Sequence, residues 1–198
     1  MRRITFGIGI AVTSILGIVA IGIASTPAGA VRPLARAALH NAAGVKIGTV
    51  EFKGTGTNAE RVEVEIALPA GDPGGGTYHG LHVHTVGQCV APFTSASSHW
   101  NLVTDAKHGH HTGDLPSVLI GSDGKAYAEF ETHRFDVTEL FDGDGSAVVL
   151  HAGPDNFGNV PIASDRYADP NNWYNAATGT GATGDAGSRY ACGVVTSA

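Results

Sequence analysis

Cysteine occurs only twice in this 198-residue chain, methionine once and tryptophan twice, and 12 basic residues face 18 acidic ones. Each scarcity narrows the field. Two cysteines allow at most one internal disulfide. An acidic balance of −6 leaves no basic footprint for nucleic acid, so none is expected as a partner. Helical periodicity is absent beyond residue 30, which argues against a helical domain. No internal repeat and no second domain is evident at this length, where one compact core plus a terminal extension is the natural expectation. Long apolar runs are lacking as well, with one exception at the N-terminus.

That exception reads as an export signal. Arg2 and Arg3 open the chain, Ile4 to Ala24 carries no charge, and Ala28-Gly29-Ala30 offers the small residues a signal peptidase needs. The alternative is an uncleaved anchor, since the uncharged stretch is long enough to cross a ~30 Å hydrocarbon layer. Four glycines, two threonines and a serine dilute the stretch, however, and no cysteine lies near the cut site to carry a lipid. Cleavage is expected, giving a signal peptide over 1–30, a mature domain over 31–198, and an exported protein with no membrane attachment after processing. The twin arginine fits a folded-export signal only loosely, so the export route stays open. Removing residues 1–30 leaves ten basic against eighteen acidic side chains, a net −8. In an oxidising compartment Cys89 and Cys192 are expected to pair, with two inert buried thiols as the alternative.

What is present is β-strand pattern. Arg61 to Leu68 alternates strictly, placing Val62, Val64, Ile66 and Leu68 on one face of a half-buried strand. Leu81 and Val83 with their intervening histidines form another. Ser117 to Ile120 and Lys125 to Glu131 flank the turn Gly121-Ser122-Asp123-Gly124, which predicts a hairpin. Further strands are expected over Lys46 to Lys53, Ser146 to His151 and Tyr190 to Val195, making an all-β antiparallel sandwich or barrel. Between Ile47 and Val50 the apolar phase slips, and Gly48 is a candidate bulge. Two segments, Gln88 to Pro116 and Ala152 to Ser188, resist strand assignment. Loops this long usually build sites.

The chemistry-bearing residues gather in and beside those loops. His82 and His84 lie two apart on a strand, so both rings leave one face and can converge on an ion. His99, His108, His110, His111 and Asp114 crowd one loop, and His151 ends the apolar run Ala147-Val148-Val149-Leu150. A lone His-x-His pair is weak evidence, and His151 could instead be a core histidine bonded to backbone. Taken together, the groups suffice for two metals. Imidazole suits copper and zinc, and the Asp114 carboxylate fits a zinc site.

In these motifs the chain resembles the copper/zinc superoxide dismutases, specifically the exported bacterial members. The resemblance runs through Gly80-Leu81-His82-Val83-His84, His99, Lys107-His108-Gly109, His111-Thr112-Gly113-Asp114-Leu115-Pro116 and His151-Ala152-Gly153-Pro154-Asp155-Asn156. It ends at Gly184-Asp185-Ala186-Gly187-Ser188-Arg189-Tyr190-Ala191-Cys192-Gly193-Val194, and covers roughly Ala38 to Val195. It implies an eight-stranded Greek-key β-barrel, a sandwich of the immunoglobulin-like kind, carrying two long site-building loops.

It also implies copper at His82, His84, His99 and His151, and zinc at His99, His108, His111 and Asp114. Asp155 would accept hydrogen bonds from ligands of both metals, and Cys89 with Cys192 would be the family disulfide. The implied reaction converts superoxide to oxygen and hydrogen peroxide. His99 would carry the proton and Arg189 would attract the anion. At zinc the loop is shorter than usual and His110 competes with His108, with His108 the expected ligand because its spacing matches bacterial relatives. Trp100 and Trp173 are expected to wall the loops or simply to pack. His40, His79 and His133 match no ligand position and are expected at the surface. A non-catalytic copper or zinc carrier on the same barrel is the alternative, and an interaction module with incidental histidines a third reading.

Overall fold

A computed structural model describes residues 31–55, 61–158 and 180–198, so residues 1–30, where an export signal is expected, and Trp173 lie outside the described residues. Eight strands are present: β1 (Arg32–Asn41), β2 (Lys46–Gly54), β3 (Arg61–Ala67), β4 (Thr77–His84), β5 (Asp114–Ile120), β6 (Lys125–Glu131), β7 (Ala147–His151) and β8 (Arg189–Ser197). All pairings are antiparallel, in the spatial order β5-β4-β7-β8-β1-β2-β3-β6. This is a nearly closed all-β barrel, as expected. The only α-helix among the described residues is α1 (Thr180–Thr183).

The alternation in β3 does what its pattern dictates: Val62, Val64 and Ile66 are buried against the core. In β2 the phase slip is a bulge beside Gly48. Leu39 pairs with Gly48 and His40 with Lys46, so Ile47 is the extra residue, and both Ile47 and Val50 point inward. A Cβ at Gly48 would collide with the Glu65 carbonyl across the β2–β3 ladder, which explains glycine there. Strand β1 was not anticipated from the sequence. Its inward residues are Ala35, Ala37 and Leu39, and alanine gives little strand signal.

The expected β5–β6 hairpin is not formed. The turn is there, with Gly121 N–H donating to the Lys125 carbonyl at 2.8 Å. The strands it joins sit at opposite ends of the sheet order, however. Strand β6 is laddered to β3 over seven positions, Arg61↔Glu131 to Ala67↔Lys125, and β5 is laddered to β4. Those long-range partners complete the inward apolar faces, and that outweighs the local pairing favoured by the turn.

Trp100 is a core residue rather than a loop wall: it is buried with its ring 5.3 Å from Phe135, which in turn meets Phe52 at 5.9 Å. Outside the barrel a second small cluster forms where Phe93, Ala96, Ala147, Val149 and Cys192 are covered by the loop after β4. The Cys89–Cys192 disulfide ties that loop to β8 across 103 residues. This small outer core fixes the floor on which the histidines stand.

Candidate metal centre

On β4, Leu81 and Val83 face the barrel interior while His82 and His84 face outward, and covering loops leave all four fully buried. Strand β7 lies beside β4, pairing Leu81 with Leu150 and His84 with Ala147, so His151 at its end reaches the same outer face. His99 enters through a single bridge to His84. Backbone oxygens orient two of these rings: the Ser97 carbonyl lies 2.9 Å from His84 Nδ1, and the Gly187 carbonyl 3.1 Å from His151 Nδ1. The opposite nitrogens, His84 Nε2 and His151 Nε2, then face each other at 3.4 Å. One ligand atom from each of His82, His84, His99 and His151 lies within 4.8 Å of the others.

A second group adjoins the first. His82, His99, His108 and Asp114 also offer atoms within 4.8 Å of one another. His82 pairs with Asp114 across the β4–β5 ladder, which sets the carboxylate next to the imidazoles. Asp114 Oδ1 lies 3.0 Å from His99 Nδ1 and 3.3 Å from both His108 Nδ1 and His111 Nδ1. Asp114 Oδ2 accepts the N–H groups of Gly109 at 2.7 Å and His111 at 3.0 Å. His111 is thus at the rim of the group, with its side chain 13% exposed against 2% for Asp114. His110 is exposed and stands apart. His82 and His99 are common to both groups; His99 has its Nδ1 turned to Asp114 and its Nε2 left without a hydrogen-bond partner.

Asp155 links the two. His82 Nε2 donates to its Oδ2 at 2.6 Å, and His108 Nε2 lies 2.8 and 2.9 Å from its two oxygens. In the neutral form of each ring the proton is thereby held on Nε2, which leaves Nδ1 bare. Burial alone would raise the Asp155 carboxyl, but hydrogen bonds from His108 and His82 hold it well below the usual carboxylate range. Asp114 is also held low against burial, by the nearby His108 and His99 rings.

Burial lowers His82 and His84, and brings His99 down to about 4 and His151 to about 3. His108 is the exception: burial pushes it down, but Asp114 and Asp155 lift it to about 9. Neutral, convergent imidazoles are what a transition metal binds. The fit to an ion shows most directly in His82 Nδ1, His99 Nε2 and His108 Nδ1, which are buried and lack any hydrogen-bond partner. Three orphaned donors or acceptors in one place are costly unless something else satisfies them.

Arg189 opens β8, paired with His151, and its guanidinium donates to the carbonyls of Phe93 and Ser97. Its charge contributes to the lowering of His84 and His151, so it bears on the first group. Gly184 sits where only glycine fits. At φ +63°, a Cβ there would collide with Asp155 Oδ1 and His108 Nε2.

Three residues had no anticipated part. His79 is buried rather than at the surface: its ring nitrogens lie 2.7 Å from the His151 carbonyl and 2.8 Å from the Gly74 carbonyl. It braces the end of β7, a role hidden from strand periodicity because β4 is covered on both faces. His40 and His133 are exposed, as expected. Gly184 was seen only as part of a motif. Arg134, which binds the 109–114 loop, left no local signal because its partners lie 20 to 25 residues away.

Comparison with known proteins bears on the family and the fold. The family described as Copper/zinc superoxide dismutase (SODC) matches residues 46–195. The superoxide dismutases [Cu-Zn] of Mycobacterium tuberculosis and Mycobacterium bovis are each 35% identical over 164 residues, which is 77% of this chain and 65% of theirs. This chain thus spans just under two thirds of the length of those relatives. The corresponding protein of Caulobacter vibrioides is 30% identical over 167 residues, covering 76% of this chain and 82% of its own. Among solved structures, a SOD-like protein from Bacillus subtilis superposes with a TM-score of 0.61 at 23% identity, over 80% of this chain and 96% of that one.

Proposed function

The chain belongs to the copper/zinc superoxide dismutase family, and from that premise we propose that it is itself a superoxide dismutase. In this reading copper is held by His82, His84, His99 and His151, and zinc by His99, His108, His111 and Asp114. When bound, copper supplies a one-electron couple that oxidises one superoxide and reduces the next, and zinc a fixed charge beside it. Two superoxide ions and two protons become one oxygen and one hydrogen peroxide, with one electron passing from the first radical to the second. The observation that carries the reading is a pair of adjoining metal-sized groups of buried ligand atoms that share His82 and His99, each with one ring nitrogen that has no hydrogen-bond partner.

The protein's own groups divide the work. His99 Nε2, whenever it is free of ligation, holds a proton and passes it to the reduced oxygen species, so that no unprotonated peroxide dianion has to form. Asp114 anchors the other nitrogen of the same ring at 3.0 Å. Asp155 keeps His82 and His108 in the tautomer with bare Nδ1. Arg189, fixed by two carbonyls, presents a planar cation to an arriving anion. Screening over ~8 Å at physiological salt lets this local charge outweigh the distant acidic surface.

Copper and zinc content of the purified protein, with superoxide turnover measured on the same sample, tests the proposal. Stoichiometric metal without turnover would make it a carrier, and no stoichiometric metal would leave an interaction module. We further read residues 1–30 as an export signal. A secreted species whose N-terminus is Val31 by mass spectrometry supports that, and an intact Met1 in the secreted fraction opposes it.

A further inference from the structure

Arg134 lies between β6 and β7 with much of its surface exposed, yet its guanidinium is engaged three times by one loop. Nη1 donates to the carbonyls of His111 at 3.0 Å and Asp114 at 3.1 Å, and Nη2 to that of Gly109 at 3.3 Å. No carboxylate pairs with it among the described residues. Its charge therefore serves neutral acceptors, and all of them belong to the segment that carries His108, His111 and Asp114.

The acceptors are not scattered. The N–H groups of Gly109 and His111 converge on Asp114 Oδ2, and the carbonyls of the same two residues converge on Arg134. The loop is gripped at both poles: the carboxylate takes its donors on the ligand side and the guanidinium takes its acceptors behind. A planar fork with several donors can hold three carbonyls in one arrangement, which a lysine ammonium cannot do equally well. The arginine backbone is itself fixed. Phe135, the next residue, is buried between Phe52 and Trp100, and Arg134 N–H reaches Thr132 Oγ1 at 3.4 Å. Trp100 follows His99 and accepts Gly113 N–H at 2.9 Å, so the same core contact backs the bridging histidine.

We propose that Arg134 is a positioning residue for the second metal centre: its guanidinium holds the 109–114 loop so that His111 and Asp114 present their ligand atoms before an ion arrives. The proposal rests on the reading that His99, His108, His111 and Asp114 bind zinc. A loop ordered in advance does not have to be ordered on binding, and that saving appears as affinity. Arg134 bonds the backbone of ligand residues rather than their rings and is partly exposed. The expected effect is therefore near the lower end of the roughly 10- to 100-fold range for such outer partners.

The experiment is zinc competition against a chromophoric chelator, with the full-length folded protein as wild type, Arg134→Gln, Arg134→Lys and His111→Ala. Cobalt(II) visible spectra and copper content are taken on each. Arg134→Gln should bind zinc roughly 10-fold more weakly, shift or broaden the cobalt bands, and keep its copper, while Arg134→Lys falls between. Zinc affinity of Arg134→Gln within about twofold of wild type, with an unchanged cobalt spectrum, would overturn the positioning role even if its melting temperature dropped. Wild type that binds no zinc, or His111→Ala that binds it normally, would instead overturn the underlying zinc assignment, and the proposal with it.

Discussion

Asp155→Asn is the sharpest probe of the link between the two groups, because the structure specifies which of its neighbours must change. Asp155 Oδ1 accepts from Phe157 N–H at 2.7 Å and from His108 Nε2 at 2.8 Å, whereas Oδ2 accepts from His82 Nε2 at 2.6 Å and lies 2.9 Å from His108 Nε2. An asparagine has one acceptor oxygen and one amide nitrogen that only donates. The Phe157 N–H is a backbone donor that cannot be reversed, so the carbonyl oxygen takes the Oδ1 place and the amide nitrogen faces His82. His82 Nε2 must then accept, and its proton moves to Nδ1, the atom aimed into the first group.

Metal binding at that atom requires the proton to return to Nε2, against the amide hydrogens. Opposing two buried donors costs about 1–3 kcal/mol, which is roughly 5- to 150-fold in affinity at ~1.4 kcal/mol per factor of ten. The variant should therefore lose copper affinity by one to two orders of magnitude and lose less at zinc, since His108 keeps its acceptor. Copper and zinc competition titrations measure the two losses. Long-range proton–nitrogen NMR reads the His82 tautomer directly. Zinc lost first, or His82 still protonated at Nε2, would refute the reasoning.

Four further outcomes are expected. Cys192→Ser should destabilise the protein by about 2–4 kcal/mol in denaturant unfolding; two titratable thiols in the oxidised wild type would contradict the bond. His110→Ala should keep zinc through mild chelator dialysis while His108→Ala releases it, both retaining copper, and the opposite pattern would move the zinc ligand to His110. Gly184→Ala should lose metal at both groups, because its Cβ collides with Asp155 and His108; normal metal content would show that the loop can move aside. In the metal-free protein, His99 and His151 at about 4 and about 3 lie below the unfolded value of 6.5, so their contribution is present above 6.5 and is lost as pH falls. His108 at about 9 contributes below 6.5 and is lost as pH rises through 9, so denaturation midpoints should peak near 6.5, and a peak outside the range 4 to 9 would oppose this.

The parts of the fold written in side-chain alternation were legible: β3 shows it at Val62, Val64 and Ile66, and the β2 phase slip located the Gly48 bulge. Where the information is long-range, the sequence misleads. Gly121 to Gly124 has hairpin chemistry, yet β5 and β6 find their ladders elsewhere. Alanines 35 and 37 conceal β1, since a small inward residue suits a crowded barrel but leaves little trace in the pattern. Local spacing put His82 and His84 on one face. Grouping them with His151, His99 and the 108–114 loop drew on family motifs, because the pairing of β4 with β7 that unites them cannot be read from either segment. The burial of His79 and the grip of Arg134 depend on which carbonyls the fold brings near, and backbone acceptors carry no sequence signature.

The place of β8 in the sheet sets an order of events for a chain made from its N-terminus. With β8 removed, the spatial order falls into two separate pieces, β5-β4-β7 and β1-β2-β3-β6, since β8 alone joins β7 to β1. Five of the seven pairings lie within those pieces and can form earlier, and the two that make the seam wait for residues 189–197, far along the chain from β1 (residues 32–41). Contacts of such separation close slowly. Both Arg189 and Cys192 ride on this last strand, whereas His82, His84, His99 and His151 all precede it. A nascent chain therefore displays these four imidazoles before the guanidinium and the covalent staple exist, and an ion captured at that stage would meet ligands without their guard.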